Sequence, residues 1–281
     1  MKKIAILLLA FLMLSSLVSA ETVEETELSL LAVNVGKADA LLLRSGNSAY
    51  LIDTGTKKSA DILLDVLRGE GITRLTGVIL THTHADHTGG LRALLESEII
   101  VENIYTSKYY VLKKEDGKHP VEKAIQKTGF IHEAVYLSGG DTLPLEGGML
   151  TVLGPLEMNE ETENNNSLVL LAESGGGSIL LTGDMEFPEE DSLLKAGVIP
   201  PVDVLKIGNH GEGDATSRQF VITAQPKLAV ISTSSEEEPD TPDPRVIRLL
   251  EQQGISVVQT QDSAAGVLIT LRGGEIVSEM N

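Results

Sequence analysis

The chain has 281 residues, 42% hydrophobic and 22% charged, a globular rather than disordered balance that suits one large layered domain or two small ones. It contains no cysteine, which excludes a disulfide framework, a thiolate metal site and a cysteine nucleophile. A formal net charge of -19 argues against a grip on nucleic acid spread over the whole surface. The first segment reads as an address. Lys2 and Lys3 precede an apolar run from Ile4 to Leu14, and Val18 and Ala20 stand ahead of a cleavage point before Glu21. This is the pattern of a secretory signal peptide over residues 1–20, its apolar core too short to span a bilayer comfortably. An uncleaved N-terminal anchor is the alternative. Cleavage removes two lysines and takes the charge from -19 to -21. It would leave a domain over 21–281, secreted or otherwise extracytoplasmic, with no stable membrane insertion.

Short apolar runs between glycine-containing turns predict strands at Leu28–Val35, Ala40–Arg44 and Ala49–Asp53. Helical spacing follows over Ala60–Arg68, with Ile62, Leu63, Val66 and Leu67 on one face and Gly69 and Gly71 as the stop. Gly77–Leu80 reads as a buried strand, Leu91–Leu95 as a helix, Ile100–Thr106 as a strand and Lys118–Lys127 as a helix. The second half repeats the rhythm. Strands are expected at Val135–Leu137, Met149–Leu153, Leu168–Ala172, Ser178–Leu181, Val204–Ile207, Leu228–Ser232, Ile255–Gln259 and Gly266–Leu271. Helices are expected at Glu189–Lys195 and Pro244–Gln253, the latter with proline near its start. Helices between strand groups in both halves predict two sheets packed face to face with helices outside, a four-layer α/β (αββα) sandwich. Gly175–Gly177 lacks the helix and Lys-Ser/Thr of a phosphate loop and reads as a hairpin turn. The acidic stretches Glu160–Glu163 and Glu236–Glu238 read as solvated loops, and Lys206 as a strand residue leading to the site, whose amine snorkels to solvent or, as the alternative, contacts substrate.

The strongest chemical signal is THTHADHTGG, Thr81 to Gly90. His82, His84, Asp86 and His87 fall within six positions, after a buried strand and before a helix. Residues two apart in extended chain point the same way, so His82 and His84 can close on one cation. As the chain turns, Asp86 and His87 can reach a second. Imidazole and carboxylate donors suit zinc, manganese or iron, and Gly89 and Gly90 permit tight backbone packing around them. His119 and His132 lie outside any motif.

HTHADH resembles the metal motif of the metallo-β-lactamase superfamily, whose fold is an αββα sandwich. Its other marks stand in order: LIDTG at Leu51–Gly55 with Asp53, LTGD at Leu181–Asp184, and KIGNHG at Lys206–Gly211 with His210. NNNSLVL from Asn164 and DVLKIGNHG from Asp203 are similar to the hydrolase domain of ComEC-type DNA-uptake competence proteins. There, a segment like Asn164–Ser167 replaces another metal-binding histidine. Two departures stand out. Asn209 occupies the first of two positions that are usually both histidine, and the loop after Ser232 reads EEEPDTPDP with no histidine.

The resemblance implies a metal-dependent hydrolase with two divalent cations, zinc or manganese. His82 and His84 would hold one, with Asn166 or water completing it. Asp86, His87 and His210 would hold the other, and Asp184 would bridge them. Asp53 would orient a ligand or the attacking water, and Asn209 would donate a hydrogen bond to substrate. A metal-bridging hydroxide would attack a phosphodiester, nucleic acid included. The alternatives are an ester, lactone, thioester or lactam on the same site, or a non-catalytic metal-binding module associated with DNA uptake.

Overall fold

The computed structural model describes residues 26–111 and 119–281, so the signal-type segment 1–20 lies outside it. The first half runs β1 (Leu28–Val33), β2 (Leu41–Ser45), β3 (Ser48–Ile52), α1 (Ala60–Gly69), β4 (Arg74–Leu75), β5 (Gly77–Leu80), α2 (Ala85–Thr88), α3 (Leu91–Leu95), β6 (Ile100–Val101), β7 (Ile104–Ser107), α4 (Pro120–Thr128) and β8 (Val135–Leu137). The second runs β9 (Thr142–Leu145), β10 (Gly148–Gly154), β11 (Val169–Ser174), β12 (Gly177–Leu181), α5 (Phe187–Ala196), β13 (Val204–Lys206), α6 (Arg218–Ala224), β14 (Leu228–Ile231), α7 (Pro244–Gln252), β15 (Ser256–Gln259), β16 (Gly266–Arg272) and β17 (Glu275–Met280).

Strand β1 shows why the layers form. Its side chains alternate between two faces. Leu28, Leu30 and Ala32 enter a core shared with the other sheet, while Leu31 and Val33 pack under helices. A strand apolar on both faces needs cover on both. The first sheet has the order β17-β16-β1-β2-β3-β5-β7-β8, and the second β15-β14-β13-β12-β11-β10-β9. Between them lie Leu43, Tyr50 and Ile79 from the first and Leu170, Ile179 and Val230 from the second. Outside the first sheet pack Leu63 and Leu67 of α1, Leu94 of α3 and Val121 of α4. Outside the second pack Leu193 of α5, Phe220 of α6 and Leu250 of α7. The result is the expected αββα sandwich.

The parallel strands position the site. β3 and β5 run parallel in the first sheet, and β12, β13 and β14 in the second. Loops leaving their carboxyl ends carry Asp53, His82 to His87, Asp184 and His210. Such ends are where α/β sheets gather ligand-binding groups. No helix among the described residues is long and apolar enough to cross a membrane.

Some expectations shift. The strand expected over Ile100–Thr106 is two strands, broken where Glu102 N–H donates to the Leu75 carbonyl and the Asn103 amide to that of Thr76. Its halves pair with different neighbours, β4 and β5. Strands β9 and β17 and helix α6 carried no strong periodic signal and were not anticipated. Gly175–Gly176 forms the turn between β11 and β12, as expected.

Candidate metal centre

After β3, Asp53 takes left-handed backbone, with φ 61°. Asparagine, aspartate and histidine tolerate this region better than other side chains. Its buried carboxylate turns under the neighbouring strand. Oδ1 accepts from the Thr81 N–H at 2.7 Å, and Oδ2 accepts from the Thr81 hydroxyl at 2.8 Å and faces His87 Nδ1 at 2.7 Å. Thr54 clasps the same histidine by its carbonyl, through backbone N–H at 2.7 Å and hydroxyl at 2.9 Å. Asp53 is thus a support beneath His87, whose Nε2 is left facing the cluster.

After β5, Glu163 holds the histidine loop. It accepts from the Thr83 N–H at 3.0 Å and the Thr83 hydroxyl at 2.7 Å. The His82 and His84 rings lie on one side, with centroids 4.7 Å apart. Glu163 was expected in solvent; it is buried because those donors, between the two histidines, need an acceptor. The short α2 then presents Asp86 and His87. Its exit requires glycine, since a Cβ on Gly90 would stand 2.3 Å from the Thr54 carbonyl oxygen.

The second sheet supplies the rest. Asp184 N–H donates to Ser167 Oγ at 3.1 Å, which fixes the carboxylate. Asp184 Oδ2 lies 3.1 Å from His87 Nε2 and 3.8 Å from His82 Nε2, and Oδ1 lies 3.4 Å from His210 Nε2. Asn209 and His210 both take left-handed backbone, with φ 45° and 52°. His210 Nδ1 donates to the Ser232 carbonyl oxygen at 2.9 Å, which leaves Nε2 to face the cluster, 3.5 Å from Asp86 Oδ2.

Three donor groupings result among the described residues. One comprises Asp86, His87, Asp184 and His210 and another His82, His84 and Asp184, with Asp184 common to both; the third, Asp39, Asp53 and His87, takes in the support beneath His87. Nε2 of His82, His87 and His210 and Oδ1 of Asp184 are buried without a well-aligned hydrogen bond. Each such atom costs about 1–3 kcal/mol when left unsatisfied. Imidazole nitrogens and carboxylate oxygens converging in this way fit divalent cations.

The electrostatics agree. Burial and the neighbouring His87 push His82 well down, leaving it neutral with a lone pair to offer. Burial also opposes charge on His210, yet Asp184 and Asp86 raise it to about 9. His87 is likewise held well above the ordinary imidazole value, against burial, by Asp184 and Asp53. Asp86 and Asp184 thus draw positive charge to one point.

Three expectations need correction. Lys206 does not reach solvent; it is fully buried. On β13 it alternates with Leu205 and shares the face of Val204, which lies in the core between the sheets. There its ammonium pairs with Asp39 and donates to the Gly183 carbonyl at 3.3 Å. Asn166 is not free to complete a cation site. Its Oδ1 accepts from Asn159 N–H and its amide nitrogen donates to the carbonyls of Asn159 and Thr162. The third is Glu163, drawn out of solvent by Thr83. Glu236–Glu238 is exposed as expected, although Glu237 and Glu238 engage Lys37. Asn209 commits one amide hydrogen to Asp214 at 3.1 Å. His119 is buried against Tyr110, and His132 is exposed.

Asp39 was missed. It is buried behind the cluster, 3.8 Å from His210 Nδ1 and 4.0 Å from His87 Nδ1. The available signal was an acid set inside the apolar run Ala38–Leu43.

The profile of the metallo-beta-lactamase superfamily matches residues 33–235. ComE operon protein 3 of Bacillus subtilis (strain 168) is 30% identical over 249 residues, 82% of this chain and 31% of that protein. Competence protein ComA of Neisseria gonorrhoeae is 29% identical over 271 residues, 94% of this chain and 36% of that protein. The chain therefore spans about a third of these relatives. Among solved structures, a diphosphatase of the PhnP family superposes with a TM-score of 0.53 at 14% identity, covering 91% of this chain and 99% of that one. That likeness speaks for the fold alone.

Proposed function

The chain belongs to the metallo-beta-lactamase superfamily, as a metal-dependent hydrolase resembling the ComEC-type hydrolase domain, and from that premise we propose that it is an extracytoplasmic phosphodiesterase. The observation that carries the reading is the pair of donor sets sharing Asp184, with its buried, unpartnered nitrogens and oxygen. His82, His84 and Asp184 would hold one divalent cation, and Asp86, His87, His210 and Asp184 the other, with zinc or manganese suiting the donors. When bound, such a pair supplies a water acidified towards neutrality and positive charge for the oxygens of the scissile group.

The chain's own residues set the geometry. Asp53 locks the His87 tautomer, and the Ser232 carbonyl locks that of His210. Ser167 accepts from the Asp184 N–H and Lys206 donates to the Gly183 carbonyl, so both brace the Gly183–Asp184 turn. Asn209 retains one amide hydrogen for a substrate oxygen. A phosphodiester is favoured over a carbonyl substrate by the motif resemblance to ComEC-type DNA-uptake competence proteins, with one relative named a competence protein. The signal-type residues 1–20 support action outside the cytoplasmic membrane.

The test is hydrolysis of bis(4-nitrophenyl) phosphate by residues 21–281 with zinc or manganese, beside Asp184→Ala. Expected is metal-dependent turnover abolished in the variant. A protein that binds both cations yet turns over only ester, lactone, thioester or lactam probes refutes the phosphodiester assignment, and one that turns over nothing is a binding module.

A further inference from the structure

Two connected clefts lead away from the centre across the helical layer of the first sheet. The nearer, of about 830 Å³, opens beside Asp86 and is lined by Lys57, Lys58 and Glu237 among others. The farther, of about 480 Å³, runs between α1, α3 and α4 and carries Lys57, Arg92, Lys123 and Lys127. Lys57, Ala85 and Gly89 line both, so the two form one groove. The chain has 22 basic residues against 41 acidic ones. Five of the 22 gather here, all exposed.

Their charge is largely uncommitted. Lysines in ion pairs elsewhere are Lys37, Lys195, Lys206 and Lys227. Lys57, Lys58, Lys123 and Lys127 have no carboxylate within 4.0 Å among the described residues. Arg92 is paired with Glu96 at 2.8 Å, and Asp61 also lines the farther cleft. The other rim is the opposite in character. Lys37 is neutralised there by Glu212 and Glu238, and Glu237 accepts from the Lys37 N–H at 2.8 Å.

We propose that this groove holds the phosphate backbone of a single nucleic-acid strand, on one side of the bond being cleaved. The inference rests on the phosphodiesterase reading for its substrate. Basic side chains drawn from the α1 entry, α3 and α4 are spread over far more space than one phosphate fills, and suit a run of linked phosphates. The acidic rim repels a second strand, so a duplex is disfavoured. Basic grooves of this kind track single-stranded backbones with strong salt dependence.

The test compares the metal-loaded protein with Lys123→Glu/Lys127→Glu and with Lys195→Glu/Arg272→Glu, a charge-matched control on other faces. Binding of a fluorescein-labelled oligothymidylate of about 12 nucleotides is read by anisotropy immediately after mixing. Bis(4-nitrophenyl) phosphate turnover is measured alongside. The groove variant should raise Kd at least about tenfold and flatten the logarithmic salt slope by about 0.7 for each phosphate no longer neutralised. The control should shift Kd far less. Equal Kd in wild type and groove variant, or equal losses in both variants, overturns the groove. Binding that depends on the groove without any diester turnover overturns the phosphodiesterase reading and leaves the groove standing.

Discussion

Lys206 and Asp39 are a charge pair buried between the sheets, each fully shielded from water. A buried pair is expensive to break from one side, because the survivor keeps its charge without its partner. Lys206→Met should therefore lower unfolding stability by about 3–5 kcal/mol, read by urea denaturation. Asp39→Asn/Lys206→Met should recover most of that loss. A double variant no better than the single would mean that the lysine stabilises through other contacts. Asp53 acts differently. It supports His87 rather than facing the donor cluster. Asp53→Asn should keep the fold, by circular dichroism, and weaken cation binding about 10- to 100-fold in chelator competition. Unchanged affinity would remove its orienting role. Asn166 carries the opposite lesson. A polar residue beside a motif can be wholly engaged in holding its own loop.

Elements carry their own consequences. Helix α5 begins where the Asn165 side chain accepts from the N–H groups of Glu186 and Glu189. Glu189 is buried there, and burial pushes its carboxyl up to about 8 from an ordinary 4.5. Between those values the folded state keeps a proton that the unfolded state has lost. Stability therefore falls as pH rises through the window from about 4.5 to 8. Glu189→Gln removes this dependence, so its melting temperature should gain on wild type steadily from pH 5 to pH 8, followed by differential scanning fluorimetry. Parallel curves across that range would show that Glu189 ionises normally in the fold. Glu163 shows the reach of one acid at this scale. It ties the loop of β5 to the Val111 N–H and so holds two segments far apart in sequence.

Over the whole molecule the excess of acid matters most. A formal charge of -19 repels itself in the compact state. Raising sodium chloride from about 0.01 M to about 0.5 M shortens the screening length severalfold, so the melting temperature should rise over that range. A flat or falling response would mean that the surface ion pairs, such as Arg68 with Glu98 and Arg74 with Glu102, outweigh the repulsion. The same charge makes local contrast important, because a basic groove on an acidic body sets a direction for an anion that net charge alone does not.

Residue order alone specified the sandwich and most of the donor set. Strands apolar at every position demand cover on both faces, and four histidines at spaced positions sit beside strand ends. Those signals are local, written within a few residues of one another. Residue order could not assign what depends on partners distant in the chain. The fate of Lys206 was decided by Asp39 across the interlayer, that of Glu163 by Thr83, and that of Asn166 by Asn159 and Thr162 within its own folded loop. The basic groove likewise exists only once α1, α3 and α4 lie side by side. A charged or amide side chain in sequence announces that it needs a partner, and only packing chooses which one.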